Sequence, residues 1–207
     1  MTSPDIALRK TPRQNRSAVT VATILEAAAH ILDTQGLEGF NTNAVARRAG
    51  VSIGSLYQYF PGKDALTAAL IRHDHDVLLD SLDAAVERTR GASRDEGLAA
   101  LAKVAVDHQF LRPRLARVLD VEELRLPVSE ESAAVMRAIG GKVIGFLISH
   151  APELSATRAA IAAGDLLAIA RGLVDSAAQS ANPDRQDIAV RVTWALAGYV
   201  DRMIEGA

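Results

Sequence analysis

The stretch from Asn41 to Lys63, NTNAVARRAGVSIGSLYQYFPGK, constrains the chain more than any other. It spells two short helices joined by a tight turn. Asn41 or Thr42 is placed to cap the first helix, and Val45, Ala46 and Ala49 then recur at helical spacing. Gly50 follows, the residue type that best supplies a positive φ just past a helix end. Val51 plugs the corner, and Ser52 is placed to cap a second helix reaching about Phe60. On that helix Leu56, Tyr59 and Phe60 point back toward Ala46, which must be small if the two helices are to cross closely. Ile53, Ser55 and Tyr57 then face outward. This is the geometry by which a helix-turn-helix lays its second helix in the major groove.

The segment AGVSIGSLYQYFPGKDAL resembles the DNA-binding signature of tetracycline-repressor (TetR) family regulators. Ala46, Gly50, Val51, Ser52, Gly54, Leu56, Tyr57, Tyr59, Phe60 and Lys63 match in register. Asn41 stands where the family more often has Thr or Ser, and Gly62 where Ser is common. The likeness covers residues 1 to about 70 and is only architectural beyond them. It implies a paired helical protein with a DNA-binding head, and a phosphate contact for Lys63.

Composition fits an all-helical chain. Hydrophobic residues make up 49% of it and aromatics only 4%, with many alanines, a mix suited to packed helices rather than sheets. Cysteine is absent, which excludes disulfides and thiolate metal sites. No apolar run is read as nearing the ~20 residues of a membrane span, and no signal peptide opens the chain. The expectation is a soluble, cytoplasmic protein without a membrane partner. The net charge of −2 hides an asymmetry: residues 1–63 carry seven Lys/Arg against four Asp/Glu, and the remainder 16 against 21. A basic head on an acidic body fits DNA contact confined to one end.

Residues 1–16, with Arg9, Lys10, Arg13 and Arg16, read as a flexible basic arm that gains order on DNA. Ser17 to Gln35 is an amphipathic helix through Val21, Ile24, Ala28, Ile31 and Leu32, ended by Gly36. His30 within it reads as a packing residue. Pro61 stops the second reading helix, and Gly62-Lys63-Asp64 opens a long helix to about Arg90. Lys63 opposes the dipole of that helix, a position easier to rationalise with a phosphate nearby. Arg72-His73-Asp74-His75-Asp76 mimics a metal box, but only His73 and Asp76 share a helical face. It reads as a solvated charged face, and no metal is expected.

Beyond it the punctuation marks helix after helix. Ser93 with Glu96 forms a capping box opening a helix to about Phe110. Further helices run from Pro113 to about Leu126, Ser129 to His150 and Pro152 to Ala181. Asn182-Pro183 opens the last, to Glu205. The expectation is about nine helices in an all-α fold: an arm at 1–16, a helix-turn-helix DNA-binding domain at 17–63, and an all-helical effector-binding and dimerisation domain at 64–207.

The last two helices are apolar on two sides. In the final one Ile188, Val192, Ala195/Leu196, Tyr199 and Met203 form one stripe, and Val190, Trp194, Ala197 and Ile204 another. The helix before it pairs a bulky stripe (Ala162, Leu166, Ile169, Leu173) with a smaller one (Ala160, Gly164, Leu167/Ala168, Val174, Ala178). A helix apolar on two sides is buried on two sides. The expected homodimer interface therefore comprises Gly164, Leu167, Ala168, Val174, Ile188, Val192, Ala195 and Tyr199, two helices per chain forming a bundle. A monomer with two central helices is the alternative. Two-fold pairing suits a palindromic operator in double-stranded DNA.

The functional expectation is a sequence-specific DNA-binding transcriptional repressor, released from its operator by a small-molecule effector. Thr42, Tyr57, Tyr59 and Lys63, with Arg47 and Arg48 nearby, are the candidates for the phosphate backbone. Ser52, Ile53, Gly54 and Ser55 are the candidates for reading bases. An effector pocket is expected among the middle helices, at His108, Phe110, Met136 and Phe146. Two rivals remain: an architectural protein binding DNA without sequence preference, and a helical enzyme. The chain has no paired-histidine zinc motif, no phosphate-cradling glycine loop and no nucleophile with a recognisable base, so no enzyme activity or cofactor is expected.

Overall fold

The computed structural model describes residues 15–180 and 182–206, with the backbone alone at 15 and 16. The basic arm expected at 1–16 therefore lies essentially outside the described residues. Among those described there are nine helices and no strand: α1 (Asn15–Gly39), α2 (Thr42–Ala49), α3 (Ile53–Tyr59), α4 (Lys63–Arg88), α5 (Arg94–Leu111), α6 (Pro113–Arg125), α7 (Ser129–His150), α8 (Ala156–Ala178) and α9 (Arg185–Glu205). Gly36 breaks α1 with φ 65° and ψ −164°, so the last turn to Gly39 is a kinked continuation.

The helices fall into two compact units. The first holds residues up to Asp76 and the segment Arg112–Ser132; the second holds Val77–Leu111 and Ala133 onward. The first unit is built on α1, which buries Ile24, Ala28, Ile31 and Leu32 against α2, α3 and the start of α4. It also takes in α6, which the sequence alone did not assign to it. Leu115 and Leu119 of α6 pack into the same core, and three polar links fix the start of α6 on α1. Arg112 donates to both carboxylate oxygens of Glu26 at 3.1 and 2.7 Å. Arg114 donates to the Thr34 carbonyl at 3.0 Å. The Leu115 amide, one of the orphan donors at a helix start, donates to Asp33 at 3.2 Å.

In the second unit α5, α8 and α9 pack on one another, with α7 and the end of α4 contributing to the same core. Gly97 of α5 is required by its neighbour: a Cβ there would lie 2.2 Å from the Phe146 ring. The Ser93/Glu96 capping box forms as read. Glu96 accepts from the Ser93 amide and hydroxyl, and these bonds hold its carboxyl below the usual range. The end of α9 is held by Arg158, which donates to the carbonyls of Met203 and Gly206, both at 2.7 Å.

Three expectations need correction. First, α8 begins at Ala156 rather than Pro152, because Ser155 accepts from the Arg158 amide and so caps the helix. Likewise α9 begins at Arg185, capped by Asp184, which accepts from the amides of Gln186 and Asp187. Asp184, rather than Asn182, is therefore the N-cap of α9. Second, the 72–76 box is more than a solvated face. Arg72 pairs with Glu131 at 2.6 Å and His75 Nε2 lies 3.4 Å from Glu123. Third, α7 is long and apolar enough to cross a membrane by length and composition. Its isoleucines, valines and alanines raise the average, but Arg137 and Lys142 sit within it, a costly placement in a bilayer. Ile139, Val143, Phe146 and Leu147 pack instead into the core of the second unit.

Candidate nucleic-acid interface

The reading head is assembled from α2, α3 and the first turn of α4. Asn41 caps α2, accepting from the Ala44 amide at 2.9 Å. Gly50 ends it in the left-handed region at φ 68°, and its amide returns to the last turn of α2. The Val51 amide donates to the Ala46 carbonyl at 3.0 Å, closing the corner. Ser52 then caps α3, accepting from the Ser55 amide at 3.0 Å. Each step of the turn is thus specified by a residue whose chemistry demands it.

The inner side of α3 is anchored by Leu56, Tyr59 and Phe60, all buried, against Val45 and Ala46. Complete burial of a leucine or phenylalanine contributes about 1.5–3 kcal/mol each, enough to fix the orientation of a seven-residue helix with little intrinsic stability. The outer side carries Ile53, 39% exposed, and Tyr57, 41% exposed, with Gly54 and Gln58 also open to solvent. A Cβ at Gly54 would meet only Ser52 Oγ, at 3.8 Å, so close approach of another surface is unobstructed.

Ten residues were expected to face DNA, and they divide by placement. Ser52, Ile53, Gly54 and Tyr57 lie exposed on or beside α3. Ser55 is half-buried, its hydroxyl 2.8 Å from that of Ser52. Thr42 is half-buried at the start of α2, its Oγ1 3.2 Å from the Tyr57 hydroxyl. Tyr59 is 8% exposed and belongs to the core. Arg47 and Arg48 are exposed in the last turn of α2, where positive charge complements the helix dipole. Arg48 lines a shallow groove with Ala22, Thr23, Glu26, Ala27 and Ala49. Lys63 is exposed, its Nζ 5.4 Å from the centre of the Phe40 ring. From Asn41 to Lys63 there are three basic residues and no acidic one, so the segment carries net positive charge, placed on α2 and at the start of α4 on either side of the uncharged α3.

The other expected residues lie in the second unit. Phe110 and Phe146 are buried in its core, Phe146 stacking on His150 with ring centres 4.3 Å apart. His108 is half-buried and Met136 is 47% exposed. Of the residues assigned to pairing, Val174, Ile188 and Val192 are buried within the chain's own core. Leu167, Ala195 and Tyr199 are half-buried, and Gly164 and Ala168 are exposed. On α9 the stripe left open is the other one, with Trp194 70% and Val190 40% exposed; Ile161 on α8 is 55% exposed. Tyr199 donates to Asp165 across α8 and α9, which raises its pKa. Among the described residues no cluster of His, Cys, Asp or Glu is placed to hold a metal.

A short capped helix, docked through one apolar side on a preceding helix and presenting its other side amid positive charge, defines a helix-turn-helix protein. The chain belongs to the tetR family of bacterial regulatory proteins. The family model described as "Bacterial regulatory proteins, tetR family" matches residues 24–70, and that for the "Tetracyclin repressor-like, C-terminal domain" matches residues 94–199. The chain is 34% identical to the HTH-type transcriptional regulator BetI of Paraburkholderia phytofirmans over 96 residues, 46% of this chain and 48% of that one. It is 31% identical to the HTH-type transcriptional repressor DrrR1 of Streptomyces coeruleorubidus over 125 residues, 60% of this chain and 43% of that one. The chain thus spans about half the length of these curated relatives. A transcriptional regulator from Rhodococcus sp. Rha1 has a similar structure, with a TM-score of 0.70, 27% identity, and coverage of 90% of this chain and 97% of that one.

Proposed function

We propose that the chain is a cytoplasmic, homodimeric transcriptional repressor that reads a palindromic operator with α3 and is released by a small-molecule effector. The observation that carries the reading is the outward face of α3: Ile53, Gly54, Tyr57 and Gln58 stand clear of the core while Leu56, Tyr59 and Phe60 lock the helix in place. A rigid, uncluttered helix face in a cationic surround suits the major groove. Arg47, Arg48, Lys63, Thr42 and Tyr57 supply phosphate contacts, and Ile53 meets a thymine methyl.

Pairing uses the open faces of α8 and α9, where Ile161, Gly164, Ala168, Val190 and Trp194 leave apolar surface uncovered. A tryptophan exposed at 70% on an apolar helix face is the kind of anchor found at interface centres. The effector site lies in the second unit, around His108, Phe110, Met136 and Phe146. A ligand entering there must displace the packed Phe146 ring, and it releases DNA to the extent that it prefers the conformation in which the two heads no longer match the half-sites.

Competition binding tests the reading. A labelled genomic fragment selected by the purified chain is challenged with unlabelled copies and with unrelated duplexes. A regulator resists unrelated competitors by about a thousandfold or more. Equal competition by every duplex favours a protein that binds DNA without reading it.

A further inference from the structure

The polar groups on the reading helix are unequally committed. The Tyr57 hydroxyl is engaged by Thr42 at 3.2 Å. Ser52 Oγ accepts from the Ser55 amide and so caps the helix, and it lies 2.8 Å from Ser55 Oγ, so the two serine hydroxyls engage each other. Ile53 offers no hydrogen bond and Gly54 no side chain. Gln58 differs. It is exposed on α3, and among the described residues its side-chain amide has no hydrogen-bond partner. It follows Gly54 by four positions, which puts both on one side of the helix. The missing side chain at Gly54 lets that side approach another surface closely, and a Cβ there would meet only Ser52 Oγ at 3.8 Å.

We infer that Gln58 is a specificity-determining residue that selects adenine in each half-site. A glutamine amide carries one acceptor and two donors, and in the major groove it matches adenine, accepting from N6 and donating to N7. The uncommitted amide forms this pair without breaking a bond within the protein, whereas the serine hydroxyls must give up their bond to each other. The inference rests on the reading of α3 as the groove-binding helix.

Selection from a random duplex pool tests it, using the full chain, Gln58→Ala and Gln58→Glu, with thermal melting confirming that each variant folds. The wild-type chain is expected to enrich an inverted repeat containing a fixed A·T pair in each half-site. Gln58→Ala should accept any base there while keeping the remaining positions. It should also bind the wild-type site roughly tenfold to a hundredfold more weakly, the discrimination lost with one bidentate pair. Gln58→Glu, which can only accept, should shift the preference toward cytosine. If Gln58→Ala enriches the wild-type site unchanged, the assignment of Gln58 is wrong and the reading of α3 survives. Uniform weakening on all duplexes with unchanged preference makes Gln58 a phosphate contact and also overturns it. If the wild-type chain enriches nothing, the regulator reading itself fails.

Discussion

Thr42 Oγ1 and the Tyr57 hydroxyl lie 3.2 Å apart, joining the start of α2 to the outer face of α3. The bond ties together two residues expected to meet the DNA backbone, fifteen positions apart in sequence. It holds Tyr57 at a fixed height on the reading face before any DNA arrives. Preorganisation of this kind reduces the ordering cost of binding. Tyr57→Phe keeps the ring and removes the hydroxyl. Operator affinity should fall about fivefold to tenfold, the scale of one hydrogen bond, while the melting temperature stays nearly unchanged because the site is exposed. Fluorescence anisotropy with a labelled duplex measures the first, and calorimetry the second.

Gly50 sits at φ 68° with open space where a Cβ would point. Replacement by alanine therefore costs backbone strain alone, about 1–2 kcal/mol for a left-handed residue. Gly50→Ala should lower the stability of the chain by that amount in urea unfolding, with Gly50→Asn less damaging, since asparagine tolerates this region better. Equal stability of the glycine and alanine forms would mean that the turn relaxes to another shape.

Arg125 connects α6 to the beginning of α4. It donates to Glu122 at 2.6 Å and to Asp64 at 2.5 Å, and these two carboxylates push its pKa up. The Glu122 side chain is only 7% exposed, so Arg125→Ala strands a buried carboxylate. Because the arginine itself is 46% exposed and screened, the expected loss is about 1–2 kcal/mol rather than the 3–5 of a fully buried pair. Adding Glu122→Gln should recover part of it in the double variant, as denaturant unfolding would report.

Much of this architecture is legible in the residues themselves. The turn between α2 and α3 depends on local rules, a cap, a left-handed glycine and a second cap, so Gly50 and Ser52 could be assigned from spacing, while spacing narrows the first cap to Asn41 or Thr42 and the structure decides for Asn41. Helical phase also separates the two tyrosines of the motif, sending Tyr59 inward and leaving Tyr57 out. The same phase argues against Tyr59 as a backbone contact, the role also expected of it. The attachment of α6 to α1 was not legible, because Glu26–Arg112 and Asp33–Leu115 span more than 80 positions. The two stripes of α9 were both visible, yet their pattern could not say which one the chain's own core would take. Ile188 and Val192 are buried, and Trp194 is not.

That last distinction yields a test of pairing. Ala168 is exposed on α8, and arginine there adds bulk and charge to the proposed apolar contact between subunits. Ala168→Arg, alone or with Trp194→Glu, should convert the proposed dimer to monomers by light scattering while leaving the helical circular dichroism intact. An unchanged dimer mass would move the interface to another face.

The central claim, that α3 is the part of the chain that enters the major groove, is tested most directly by crosslinking. The chain has no cysteine, so a photoreactive label on Ile53→Cys reports from one place only. His73→Cys, exposed on α4 about 15 Å along that helix from Lys63, serves as the control. On a duplex that the protein binds, the label at position 53 should attach to bases within each half-site and the label at position 73 should not. Crosslinks from position 73 with none from position 53 would contradict the account.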